Sequence, residues 1–409
     1  MRSWLRTTIY FAAVILITGF VTAAITINVV NAQREDVVVM STEEYAKVSD
    51  LMALNELINK IGSDYFYDAP SRAELLASAA RGMVNSLGDP YSAYYTDEEY
   101  QSYLSNINGS YNGIGILIGQ PDDTGAAILD VYDNTPAAEV GILAGDIITA
   151  VDGASIKGML LEELSAAVDR DAGQSIVLTI LRGEESMDIT LTCGSINIRR
   201  VEHFLYNQRT GYIRISMFTG NCAEEFKEAI KDLTDRGMKS LVIDLRNNPG
   251  GTLSDVVAVA DALLGDCTIV SVRGKMDAEG EVYTSNKKGV IVPIAVIVNE
   301  NSASASEILA AAVQENGAGV VIGMTTYGKG VVQTTERIQA DGSWLKLTTD
   351  AYYTPTGRNI NGSGVTPDIE VDLPEELKGT PIDQLDQEQD AQLWAALDYV
   401  REQAGGDAE

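Results

Sequence analysis

The chain reads as a multidomain α/β protein, and three patterns in its 409 residues predict this. Strand-like and helical stretches alternate from about residue 196 to 375. Short β runs broken by Gly and Asp fill about 109 to 194. Helical spacing governs 41–105 and the tail. Alternation of the first kind builds a largely parallel sheet, because each crossover helix returns over a sheet face. The length allows two or three domains.

Taken in order, residues 1–6 carry Arg2 and Arg6 ahead of a charge-free run at 7–33, with Glu35 and Asp36 beyond it. That run is long enough to span a bilayer, and the leading arginines put residues 1–6 in the cytoplasm, so a single N-terminal transmembrane helix is expected. The competing reading is a signal peptide cleaved at Val30-x-Ala32, which would release a secreted protein. On either reading the chain after residue 35 lies outside the cytoplasm. Residues 41–108 form a helical region, with "TEEYAKVSDLMALNELINKI" and "SRAELLASAARGMVNSL" apolar at helical spacing. Its "GDPYSAYYTDEEY" reads as a tyrosine-rich turn with a structural role.

Residues 109–194 contain "GIGILIG", "AAILDVY", "DIITAVDG", "QSIVLTILRG" and "SMDITLT", with a short helix at "TPAAEVGI" and a longer one at "MLLEELSAAVDRD". A small barrel-like β domain with two helices fits. In 195–375, "GYIRISMF", "SLVIDLRNNPGG", "IVPIAVIV" and "GVVIGM" are strands. "CAEEFKEAIKDLTDRG", "LSDVVAVADALLG" and "SEILAAAVQEN" are the helices between them. Residues 376–409 hold one amphipathic helix, read as a packing or dimer-contact element, so a homodimer is a candidate assembly.

Composition narrows function. Hydrophobic residues make up 45% and charged residues 22%, as in an ordinary globular protein. The net charge of −30 argues against nucleic acid and against broad contact with anionic lipid heads, since both need a basic footprint. The acid is spread along the chain and serves solubility. Cys193, Cys222 and Cys267 form neither a CxxC pair nor an even-numbered framework, and read as buried apolar residues. No metal and no cofactor is expected.

The chemistry-bearing stretch is "NENSASASEILAAAV" at 299–313, where Ser302, Ser304 and Ser306 separate a buried strand from an alanine-rich helix. Ser304-x-x-Glu307 has the spacing of a capping box, which explains it without chemistry. The alternative is a nucleophile at the positive end of a helix. A serine hydroxyl needs a base. The single histidine, His203, lies about a hundred residues upstream with no acidic partner at a suggestive spacing, so a Ser-His-Asp triad is disfavoured and the base must be a lysine or a carboxylate. Lys329, between Gly328 and Gly330, is either a solvated surface charge or that base. To serve it would need its pKa lowered by roughly 3 units, about 4 kcal/mol. Burial against Val320, Val321, Ile322, Val331 and Val332 is the route. "DLRNNPGG" ends a buried strand in a glycine turn. It is either a simple turn or, through the N–H groups of Gly250 and Gly251 with that of Ala305, a set of oxyanion donors.

The ordered set "SLGDPYSAYY", "GIGI…TPAAEVGILAGDIITAVDG", "DLRNNPGG", "NSASASE", "YGKGVVQ" and "LTTDAYYTPTGRNINGSGVTPDI" resembles the carboxyl-terminal processing peptidases, tail-specific serine proteases with a Ser-Lys dyad, over about residues 40 to 370. The resemblance implies a PDZ domain at 109–194 and a protease core at 195–375. It implies Ser304 as nucleophile, Lys329 as general base and Gln333 as the glutamine that orients the lysine, with Ser302 and Ser306 in support. In the PDZ domain it implies that Gly113, Ile114, Gly115 and Ile116 capture a peptide's terminal carboxylate while the peptide adds as a strand. The substrates expected are proteins or peptides with apolar C-termini. The family loop often reads Arg-Gly-x-x-Gly-Thr, whereas "DRDAGQS" at 169–175 is shorter, and Arg170 is its candidate for coupling the PDZ domain to the active site. Two rivals are a non-catalytic PDZ scaffold on the same fold and an acyl-CoA-type enzyme. The first would require loss of Ser304, Lys329 or Gln333, and all are present. For the second, no CoA-binding signature stands out.

Overall fold

A six-stranded, mostly parallel sheet sets the frame of the computed structural model. It describes residues 2–32, 41–108, 110–132, 134–159, 161–183, 185–197, 199–275, 279–286, 289–378, 380 and 382–405. The chain divides into one unit up to Ala79 and a second from Ala80 onward.

The first unit is helical, with Arg2–Ala32, Thr42–Asp64 and the start of Arg72–Asn85. On the first helix Ile9, Phe11, Ile15, Leu16 and Phe20 are all exposed. Among the described residues no helix is long and apolar enough to cross a membrane.

In the second unit, a six-stranded sheet runs Val201–Tyr206, Thr210–Ile215, Ser240–Asp244, Ile294–Val298, Val320–Gly323, Ile369–Glu370 in spatial order. The first pair is antiparallel and the other four pairings are parallel, as the alternating pattern predicts. Its central strands are buried on both faces, so they read as unbroken apolar runs. Leu241, Ile243, Ile294, Val296 and Val298 face one core, with helices Cys222–Asp235, Leu253–Leu263 and Ala305–Glu315. Val242, Ala295 and Ile297 face the other, covered by Leu393, Ala396, Leu397 and Val400 of the tail helix Ala391–Gln403. The tail element is therefore a packing element, and it forms the third layer of the core.

A second, antiparallel sheet joins Ala93–Tyr95, Trp344–Tyr353, Cys267–Gly274 and Glu281–Ser285, with Val331–Arg337 also on Trp344–Tyr353. The region 41–108 is thus not helical throughout. Ala93–Tyr95 pairs with Lys346, Leu345 and Trp344, because "SAYY" carries the aromatic residues that favour a pleated surface. The β domain has the strand order Ile116–Ile118, Ala126–Val131, Ile147–Val151, Ser175–Arg182, Glu185–Thr192, and two helices, Pro136–Glu139 and Leu161–Val168. It buries its own cluster, including Ile128, Ile148, Ile176, Leu178 and Ile180. The pair Ser110–Gly113 and Gly194–Asn197 closes it at the neck.

Candidate active site

Ser302 and Ser306 fasten one loop to another. The Ser302 hydroxyl donates to the Leu245 carbonyl at 2.8 Å and accepts from the Asn299 N–H, while the Ser306 hydroxyl donates to the Asn248 carbonyl at 3.0 Å. Both serines are fully buried. They stitch the turn after Ile294–Val298 onto "RNNPGG", the turn after Ser240–Asp244, at the carboxyl ends of two neighbouring parallel strands. Ser304 stands between them as the residue that opens helix Ala305–Glu315, at φ 56° and ψ −113°. A non-glycine residue in that region costs of order 1–3 kcal/mol, and such strain clusters at functional sites. Gly250 approaches so closely that a Cβ placed there would lie 2.7 Å from both the Ser304 Cβ and the Ala303 carbonyl. Only glycine fits. Tyr352, also buried, has its phenol pushed up by burial, with a hydrogen bond to Ser304 acting against that.

Glu307 does more than cap. Its buried carboxylate accepts the Ser304 N–H at 2.7 Å, the Thr326 hydroxyl at 2.6 Å, the Gly328 N–H at 2.7 Å and the Lys329 N–H at 2.8 Å. One charged side chain therefore fixes the backbones of both Ser304 and Lys329, through hydrogen bonds of the stronger, charge-assisted kind. The capping spacing was the sequence signal for this residue. Its reach to the lysine loop was not visible there.

The Lys329 amine is half-buried, and its pKa lies below the ordinary lysine value. Burial is the larger cause, since a low-dielectric surround disfavours the ammonium. The Lys346 charge pushes the same way, and Asp89 and Glu307 push back. Its Nζ lies 4.6 Å from the ring centroid of Tyr91. Tyr91 belongs to the "GDPYS" turn that sequence reading treats as structural.

The other nominated residues fall in different places. The Gln333 amide donates to the Thr348 hydroxyl at 3.1 Å across the strand pair Val331–Arg337 and Trp344–Tyr353. Of the nominated oxyanion donors, the Gly250 N–H is already given to Asn248 Oδ1 at 2.9 Å, so Gly250 matters for its close approach and not as a donor. Ala305 is the first residue of its helix, where the N–H has no intrahelical partner. His203 sits on the outermost strand, three strand steps or roughly 14 Å from Ile294–Val298. It contacts Asp232 at 3.2 Å, which makes it part of a surface pair.

In the β domain, Gly113, Ile114, Gly115 and Ile116 lead into the edge strand Ile116–Ile118, which pairs on one side only among the described residues. Ile114 and Ile116 point into the domain core, 3% and 9% exposed, so they do not line an open pocket; Leu117, the next residue along the strand, is exposed. Gly115 packs against Thr135, where a Cβ would overlap the threonine side chain. Arg170 binds Asp152 at 2.5 Å, inside the same domain, and its described ion pair does not reach the serine loop.

Buried charge also supports the site from behind. Arg246, two residues beyond Asp244, is 2% exposed and binds Asp244 at 2.6 Å and Asp390 at 2.8 Å, with the Gln392 side-chain oxygen at 3.2 Å. Tyr212 donates its hydroxyl to Asp244 at 2.8 Å. Nothing in the sequence spacing signals this pairing across 144 positions.

Comparison with known proteins bears on the whole arrangement. A model of Peptidase family S41 matches residues 209–371, and a PDZ domain model matches 128–182. The chain is 34% identical over 368 residues to a "Probable CtpA-like serine protease" of Staphylococcus aureus (strain bovine RF122 / ET3-1), covering 89% of this chain and 73% of that protein. A protein of the same description from Staphylococcus haemolyticus is 34% identical over 366 residues, with 88% and 71% covered. Among solved structures, the photosystem II D1 C-terminal processing protease is 26% identical at a TM-score of 0.48, covering 83% of this chain and 96% of that one. A candidate S41 protease from Bacteroides fragilis, 17% identical, reaches a TM-score of 0.52 over 85% and 96%, a likeness of fold.

Proposed function

Because the chain belongs to the carboxyl-terminal processing peptidases of peptidase family S41, we propose that this serine-type peptidase is an endopeptidase working through Ser304 and Lys329 on proteins outside the cytoplasm. The observation that carries the reading is Glu307, whose one carboxylate holds the backbones of the nucleophile and the base together. A neutral Lys329 amine takes the Ser304 proton as Oγ attacks the scissile carbonyl. The N–H groups of Gly251 and Ala305 face the developing oxyanion, helped by the positive end of helix Ala305–Glu315. The lysine ammonium then protonates the leaving amine, and water, activated by the same lysine, hydrolyses the acyl-enzyme. Gln333 steadies the lysine as that group cycles between its two states.

In this reading the PDZ domain recruits substrates by an apolar C-terminus, with the peptide added to the free edge of Ile116–Ile118 and its carboxylate held by N–H groups of 113–116. Arg2–Ala32 anchors the protein to a membrane, which would cover the exposed apolar side chains of that helix.

The deciding experiment measures cleavage of an unstructured protein with an apolar tail by the wild type, Ser304→Ala, Lys329→Ala and Lys329→Arg. All three variants should be inactive, because alanine removes the reacting group and guanidinium cannot deprotonate. Wild-type turnover by any of them sinks the dyad. With the same substrate amidated at its C-terminus or ending in Asp, cleavage should slow. Equal rates on all tails would remove the PDZ domain from substrate selection.

A further inference from the structure

We propose that Tyr91 is the positioning residue of the Lys329 amine: the "GDPYS" turn delivers an aromatic wall on which Nζ rests, and that wall sets both the direction and the proton affinity of the base. The inference rests on Lys329 being the general base.

Geometry supplies the argument. The Tyr91 ring centroid lies 4.6 Å from Nζ, within the range of a cation–π contact. The turn that carries it is pinned. Asp89 accepts the Tyr91 N–H at 3.1 Å and the Ser92 hydroxyl at 2.6 Å, and the Ser92 oxygen accepts the Thr348 N–H at 3.0 Å. Thr348 is also the partner of Gln333. The ring is therefore tied to the strand pair that carries the lysine loop, so it meets Nζ as a fixed surface. Its phenol stays protonated: burial, with help from Tyr327, pushes it up to about 12. Tyr91 thus offers the lysine a π-face and an apolar cover, not a negative charge.

The charged groups acting on Nζ come from every side. Lys346, on Trp344–Tyr353, disfavours the ammonium, whereas Asp89 on the turn and Glu307 on helix Ala305–Glu315 favour it. The Tyr327 and Tyr352 rings border the site, and Lys346 is itself held by the Tyr103 hydroxyl at 2.9 Å. Against this background the ring does two opposed things. It keeps water from Nζ, which lowers the proton affinity, and its π-face stabilises the ammonium, which limits that fall. An apolar residue without a π-face would keep only the first effect.

The test compares Tyr91→Phe, Tyr91→Leu and the full-length chain with pentafluorophenylalanine at position 91, which keeps the ring's shape and reverses its quadrupole. Two readouts are taken: the pH profile of kcat/KM, and the pH dependence of trace acetic anhydride labelling at Lys329, read by mass spectrometry. Tyr91→Phe should follow the wild-type profile within about threefold. Tyr91→Leu and the fluorinated ring should each move the acid limb and the labelling midpoint down by about half to one pH unit. Tyr91→Leu should also lower the plateau about tenfold through loss of orientation. A limb and midpoint that stay in place, or move upward, in the fluorinated protein overturn the proposal, as does a shift in Tyr91→Phe equal to that in Tyr91→Leu. Failure of the dyad reading looks different. There Lys329→Ala would keep its activity, while labelling at Lys329 would still report whether the ring acts on the amine.

Discussion

Ser304 is held in a backbone conformation that glycine adopts freely and serine does not, at φ 56°. Ser304→Gly should therefore raise stability by about 1 kcal/mol while abolishing cleavage, measured as a denaturant midpoint beside a turnover assay. A destabilised glycine variant would mean that the strain is absent. The Glu307 carboxylate accepts four donors. An amide in its place offers one oxygen and sets an NH2 group against backbone N–H groups, so Glu307→Gln should cost more than 2 kcal/mol and most of the activity. Lys346 disfavours the Lys329 ammonium. Lys346→Met should accordingly raise the Lys329 pKa, and since the proposed mechanism uses the neutral amine, the acid limb of kcat/KM should move to higher pH. A downward move would contradict the sign.

At the level of elements, the sequence disclosed most of the scaffold. The apolar runs 240–244 and 294–298 announced doubly covered strands, and "SASASE" announced a helix start. The lysine loop and the glycine turn were legible because glycine on both sides of Lys329, and a doublet after "RNNP", are local chemistry. What stayed hidden was non-local. "GDPYS" looked like a turn, and it is one, but its contact with Lys329 depends on a strand 250 positions away, which Ala93–Tyr95 finds by pairing with 344–346. Ile114 and Ile116, which the resemblance places in a peptide-capturing loop, turn their side chains into the domain core, and alternation does not say which face of an edge strand is the core. The close approach at Gly250 carries the prediction for this scale. Gly250→Ala would force its Cβ into the Ser304 Cβ and the Ala303 carbonyl, at a φ of 106°. Turnover should fall at least a hundredfold with the PDZ domain still folded, a loss readable by activity alongside hydrogen exchange in 116–192.

Across the whole molecule, the site depends on a layer drawn from the far end of the described chain. Asp390 accepts from Arg246 and also from the Leu393 N–H, so one side chain starts the tail helix and neutralises the loop behind the glycine turn. Arg246→Leu leaves Asp244 and Asp390 facing each other without their cation, and should cost about 3–5 kcal/mol, seen as a fall in Tm on the order of 10 °C. An unchanged Tm would show that water reaches the cluster. This pairing also has a bearing on when the site becomes ordered. A polypeptide leaves the ribosome from its N-terminal end, and domains fold as their last segment emerges. Until residues 390–392 have cleared the exit tunnel, Arg246 has lost half of its buried counter-charge and one face of the main sheet is bare. Order in the 246–251 loop is thus expected to wait on the docking of Ala391–Gln403, which hydrogen exchange over 246–251 during refolding would check.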